Sequence, residues 1–265
     1  MPTCAADRRR RRLARCTAIA AVAALFAIGI AVYPGRVNWG VVWTGRARLL
    51  EGLGLTLVTS AGALVLAVAI GTLGGLARVA RSVFVREAAA VYVQLVRGTP
   101  FLVQIYVAYF CVAYALRMQR FGGEHNATLV GIVGLGVFGG AYVTEIVRAG
   151  VEGVDRGQWE AARSLGLSHA QTLRHVVLPQ AFRTMIPPLT GEAVSLIKES
   201  SLLSLIGVAE LSHQAREMRA QTLEGFASLV PLAILYLCLT LPLTLLAQYL
   251  ETRLAGPRPL SVAEL

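Results

Sequence analysis

Between residues 186 and 209, an otherwise apolar stretch carries Glu192, Ser195, Lys198, Glu199, Ser200 and Ser201. Charges in such a run are costly in a bilayer and usually face a bundle interior or a water-filled cavity. Glu192, Ser195 and Glu199 fall at i, i+3 and i+7, which is one face of a helix. Lys198 lies beside that face and is the only lysine in the chain. Glu145, near the end of another apolar stretch, is a further buried acid by the same reasoning. The chemistry open to this set is binding rather than bond-making. It can line a translocation path and meet a solute that carries charges of both signs. The competing reading is that Lys198 pairs with a carboxylate and only fixes helix packing.

The same lysine excludes a power source within the chain. A phosphate-binding Walker A loop needs Gly-x4-Gly-Lys-Ser/Thr, whereas Lys198 stands between Ile197 and Glu199. No nucleophile elbow, His-Glu-x-x-His or paired-carboxylate motif occurs. His125, His169, His175 and His213 are scattered over loops, and Cys4, Cys16, Cys111 and Cys238 lack metal-ligand spacing. Neither a catalytic centre nor a metal site is expected. The net charge of +10 does not point to nucleic acid, because the arginines cluster at the ends of apolar segments rather than on one face with aromatics.

The elements that position the polar set are membrane spans. The 265 residues are 55% hydrophobic and only 15% charged, against about 25% charged in soluble domains, and the mean hydropathy is +0.61. The fold class expected is all-α, a polytopic bundle of about six spans at residues 16–33, 53–77, 99–117, 127–147, 186–209 and 228–250. A basic tail, residues 1–15, holds the run Arg8 to Arg12 and precedes a first span read as an uncleaved signal anchor. Residues 38–51 are mixed, with Trp39 and Trp43 suited to the membrane interface. Residues 211–226 read as a polar linker, and residues 251–265 as a C-terminal tail.

Orientation follows from the basic residues. With both termini inside, the inner segments hold six in residues 1–15, four in 78–97, five in 148–183 and two in the tail, against three, two and two outside. That bias places residues 151–183 in the cytoplasm.

This loop contains the stretch 158–179, QWEAARSLGLSHAQTLRHVVLP, a polar island that reads as helix, turn, helix. Residues 159–165 carry no breaker, and Gly166 sits where a helix-ending glycine belongs. Ser168 with Gln171 forms a capping-box pattern that opens a second short helix. Leu178-Pro179 is expected to stop it, since proline lacks the N–H and restricts its predecessor. The Ala161-Ala162 pair beside Glu160 gives the first helix a thin side that another surface could approach closely.

Glu160-Ala161-Ala162, then Gly166, then Leu178-Pro179 resembles the Glu-Ala-Ala loop of ABC-importer permeases, with Val176 where the family usually has Ile. Residues 52–60, 95–104, 141–148 and 197–203 resemble the histidine/glutamine-type permeases of polar-amino-acid importers. The likeness covers roughly residues 50–250. It implies a type I importer permease: a multi-pass subunit of the bacterial inner membrane that pairs with a second permease, identical or a sibling. Two cytoplasmic ATPase subunits and an extracytoplasmic binding protein would complete the complex. It further implies that Glu160, Ala161, Ala162, Gly166, Leu178 and Pro179 couple to the ATPases. ATP and Mg are then used by those partners, and no cofactor is bound by this chain. The rival from another class is an ion-coupled secondary carrier, which typically shows an internal repeat with interrupted helices. No such repeat is visible.

Overall fold

A computed structural model describes residues 37–115 and 126–254. The tail 1–15, the apolar segment 16–33, most of the loop after the third span and residues 255–265 lie outside the described residues. Within them, every regular element is helical.

Helix α1 runs Gly40–Arg78, because nothing between these residues breaks it. No proline intervenes, so the mixed stretch expected to precede the second span is instead its first third. At 1.5 Å per residue the helix is about 58 Å long, nearly twice the roughly 30 Å hydrocarbon core. Its start leaves Trp39 and Trp43 exposed, as amphipathic interface anchors are.

Helix α4, Asn126–Glu152, packs along α1 more intimately than any other pair. The contact depends on missing side chains. A Cβ on Gly71 would run into Val143, and one on Gly75 into Val147. Small residues let backbones approach closely where lipid supplies no hydrophobic driving force.

Between them, α2 (Val83–Arg97) and α3 (Phe101–Tyr106), which continues as π-helix over Val107–Ala113, meet at a 98° bend. The bend falls at Gly98-Thr99-Pro100 and is held by Gln104. Its Nε2 donates towards Val96 O at 2.6 Å and towards the Thr99 carbonyl and hydroxyl at 3.0 and 2.8 Å.

The loop after α4 forms α5 (Arg156–Ser164) and α6 (His169–Thr172), followed by a π-helical turn over Leu173–Val177. Helix α7, Leu178–Glu199, follows without interruption and tightens into a 3-10 segment, Ser200–Ile206. Helix α8, Leu211–Thr222, and α9, Gly225–Leu254, complete the described chain.

Two expectations fail here. Leu178-Pro179 does not end a helix. The i→i+5 turn before it accommodates the absent N–H, and Pro179 sits in the first turn of α7, where that N–H would be unpaired anyway. Residues 211–226 are not a linker: α8 buries Leu211, Ala215 and Met218 against Val41 and Leu49 of α1 and Ala227 of α9. Its 3–4 spacing of apolar residues was obscured by the charges between them.

Among the described residues, α1, α4 and α9 are each long and apolar enough to cross a membrane, and the bent α2–α3 pair would make a fourth. Helix α7 has the length but carries Arg183, Glu192, Lys198 and Glu199. It is sheltered by protein rather than by composition, with Leu196 and the following Leu203 fully buried among α1, α3 and α4.

Candidate functional site

At one end of the bundle, the loop is built by local rules. The Asp155 carboxylate accepts from Gly157 N at 2.7 Å and opens α5. Gly166, at φ +80°, closes it. Its N–H donates to Arg163 O at 2.9 Å and the Leu167 N–H to Ala162 O at 3.2 Å, the paired bonds of a Schellman turn. The Ser168 hydroxyl then accepts from Gln171 N, while the Gln171 side chain accepts from Ser168 N, so the expected capping box is present.

The six loop residues singled out by sequence do not share one surface. Glu160, Ala161, Gly166 and Pro179 are exposed, as is Leu165 at 81%. Ala162 is 3% exposed and Leu178 half-buried, both turned to their own bundle. Adjacent helix positions point about 100° apart, so the alanine pair splits: Ala161 lies outward and Ala162 seats the helix.

Trp159 stacks on His169 at 5.3 Å between centroids, bracing α5 against α6. Burial, with Arg81 and Arg163 nearby, holds the His169 imidazole below its ordinary range. A depressed folded-state pKa means that the unfolded loop binds the proton more readily. The contribution to stability is therefore complete above the unfolded value, near 6.5, and is lost as pH falls through the folded one. Once the intrinsic pH dependence of exchange is divided out, amide protection of α5 and α6 should fall below about pH 6.5, and His169→Phe should flatten that dependence. An unchanged pH profile in the variant would refute the assignment.

Above the loop, a cleft of about 510 Å³ opens between α4 and α7. Arg97, Tyr142, Glu145, Arg148, Thr184, Pro188 and Glu192 line it. Arg97, the last residue of α2, holds its guanidinium 5.0 Å from the Tyr142 ring centroid. The Arg148 Nε and Nη2 donate to Glu145 Oε2 at 3.0 and 2.8 Å, and Arg148 also pairs with Glu152. Arg78 approaches the other oxygen of Glu145 at 3.5 Å. Glu192 is 9% exposed and, among the described residues, has no cation within ion-pairing distance.

The structure thus brings Glu145 and Glu192 to one cavity and leaves Ser195, Lys198 and Glu199 off its wall. Ser195 and Lys198 are exposed on this chain, and Glu199 is half-buried. Among the described residues Lys198 makes no ion pair. Sequence reasoning missed Arg97, Tyr142 and Arg148 as cavity residues. Arg97 ends α2 and is exposed, and only the packing of α2 against α4 brings it over Tyr142. No group of three or more His, Cys, Asp or Glu among the described residues is placed to hold a metal ion.

A helical bundle with several apolar spans, a capped polar loop at one end and a charged cleft above it defines a membrane transport subunit. Comparison with known proteins makes the class specific. Residues 67–256 match the family described as the binding-protein-dependent transport system inner membrane component, and the chain belongs to that family. It is 35% identical over 219 residues to the glutamine transport system permease protein GlnP of Escherichia coli, covering 83% of this chain and 98% of that one. It is 33% identical to the probable amino-acid ABC transporter permease protein YckA of Bacillus subtilis, over 76% and 88% of the two chains. Among solved structures, a chain of an amino acid ABC transporter with histidines superposes with a TM-score of 0.75 at 32% identity, covering 83% of this chain and all of that one. An inward-facing MetNI methionine transporter chain shares the fold at a TM-score of 0.61 and 17% identity. The fold is therefore an importer permease bundle, as the sequence implied.

Proposed function

We propose that this chain is the translocating subunit of an ATP-driven importer of polar or charged amino acids in the bacterial inner membrane. An extracytoplasmic binding protein delivers the substrate. The chain pairs with a second permease, identical or a sibling, and both termini face the cytoplasm. Two ATPase subunits dock on the exposed side of α5, where Glu160, Ala161, Leu165 and Gly166 stand clear of the bundle. Closure of the ATPases on nucleotide would switch the pair between outward- and inward-open states.

The observation that carries this reading is the cleft. It presents the cations Arg97 and Arg148 and the carboxylates Glu145 and Glu192 around one cavity, as a zwitterion requires. The names of the relatives, glutamine and amino-acid permeases, agree with that chemistry. Lys198 and Glu199, exposed or half-buried on the single chain, would face the path between the two permeases.

The test is to purify the chain from its native membrane with its partners. Recovery of a Walker-type ATPase and a solute-binding protein, with ATP-dependent amino-acid uptake after reconstitution, is expected. Uptake by a preparation free of any ATPase would overturn the reading in favour of an ion-coupled carrier.

A further inference from the structure

Where α7 gives way to Ser200–Ile206, the chain keeps a winding that proteins rarely sustain. This 3-10 segment is seven residues long, whereas such runs seldom pass three or four because their hydrogen bonds are poorly aligned. Side chains three residues apart eclipse one another on such a helix, and here they form two ridges. Ser200, Leu203 and Ile206 make one, and all three are buried. Leu203 is seated on α4, where a Cβ at Gly131 would lie 3.0 Å from its Cδ1.

The other ridge is polar and carries a continuous ladder. The Arg216 Nη2 of α8 donates to Ser204 O at 2.7 Å. Ser204 Oγ donates to Ser201 O at 2.6 Å, and Ser201 Oγ to Lys198 O at 2.6 Å. A single serine bonded back to its own helix would be ordinary. Successive rungs that each span three residues, the 3-10 repeat, and end on an arginine of another helix go beyond local preference.

The far end of the ladder is a fixed post. Arg216 makes no ion pair among the described residues, so its charge is directed at a backbone carbonyl, and a charged donor makes the stronger kind of hydrogen bond. Helix α8 is itself tied down by Glu210, fully buried at 0% exposure. Glu210 accepts from Ser212 N and His213 N at 2.9 Å, from the Tyr236 hydroxyl of α9 at 2.8 Å and from the Thr56 hydroxyl of α1 at 3.3 Å. Relaxed into α-helix, each residue would turn about 100° instead of 120°. Over the three steps from Ser200 to the anchored Leu203, that would swing Lys198 by roughly 60° about the helix axis.

We propose that Arg216 and Ser204 are positioning residues that, through this ladder, aim Lys198 into the translocation path. The inference rests on the importer reading above, which gives Lys198 that path. Without the ladder the end of α7 is free to rewind, and the ammonium turns out of the path.

The test uses the complex purified with its ATPases and binding protein and reconstituted in proteoliposomes. Lys198 is the only lysine in the chain, so its modification by a sulfonated N-hydroxysuccinimide ester, located by peptide mapping, reports its direction without reference to transport. Uptake is followed in parallel for whichever of the twenty common L-amino acids the wild type accumulates fastest. Ser204→Ala and Arg216→Ala are each expected to slow labelling of Lys198 roughly tenfold and to raise the KM for uptake by a similar factor, the scale of one lost hydrogen bond. Arg216→Lys, which keeps a donor for Ser204 O, should restore both towards wild type. Unchanged labelling would overturn the proposal whatever happens to uptake, and so would slowed labelling with an unchanged KM. Should Ser204→Ala fail to assemble, the two Arg216 variants decide. A wild-type complex with no ATP-dependent uptake would instead refute the importer reading.

Discussion

A chain carrying Gly166→Val is expected to assemble with its ATPases and hydrolyse ATP while importing roughly tenfold less substrate per ATP. No atom lies within 4 Å of a Cβ built at this position, so the effect cannot come from a clash. It comes from the backbone. At φ +80°, an L-residue other than glycine pays about 1–2 kcal/mol, and a β-branched one is worse still. Each 1.4 kcal/mol is about a tenfold shift in population, here away from the Schellman turn that sets α5 against α6. Asparagine tolerates left-handed geometry, so Gly166→Asn should retain most coupling. The measurement is uptake per ATP hydrolysed in proteoliposomes. Equal coupling in the valine variant would remove Gly166 from the transmission path.

Substituting Glu192 by Gln should slow uptake about 10–100-fold, the scale of one charged hydrogen bond to substrate, with the assembled complex recovered in normal amount. Glu192 lines the cleft without an ion-pair partner among the described residues, so the neutral isostere removes charge without stranding a paired cation there. Glu199→Gln should also change transport but by less, because Glu199 lies off the cavity wall. Size-exclusion profiles and initial uptake rates separate the two possible roles. Failure of both variants to assemble would mean that these acids serve packing.

What the sequence disclosed, and what it hid, divides by the range of the interactions. Gly166, Ser168 and Gln171 act on neighbours within four residues, and their turn and capping box were readable in advance. Glu210 was invisible as a junction: Thr56 stands 154 residues away and Tyr236 26, and the surrounding polar residues disguised α8 as a linker. Pro179 misled through a correct local rule, since a stop signal becomes a start signal once a π-turn precedes it. Of the cleft, both acids were anticipated from the cost of charge in an apolar helix. Their arginine neighbours were not, because Arg97 meets Tyr142 only through the packing of α2 on α4.

That π-turn has a mechanical consequence. Had Leu178-Pro179 broken the chain, α6 and α7 would be jointed, and a push on the loop would be absorbed at the joint. Instead, Leu173–Val177 runs directly into Leu178–Glu199, so a push on the loop passes unjointed into the first turns of α7. The next soft point is Pro187-Pro188 inside α7, where two N–H groups are missing from the helix ladder and bending is easiest. Glu192 and Glu199 lie beyond that point, so a displacement of the loop would reach them as a bend about the proline pair.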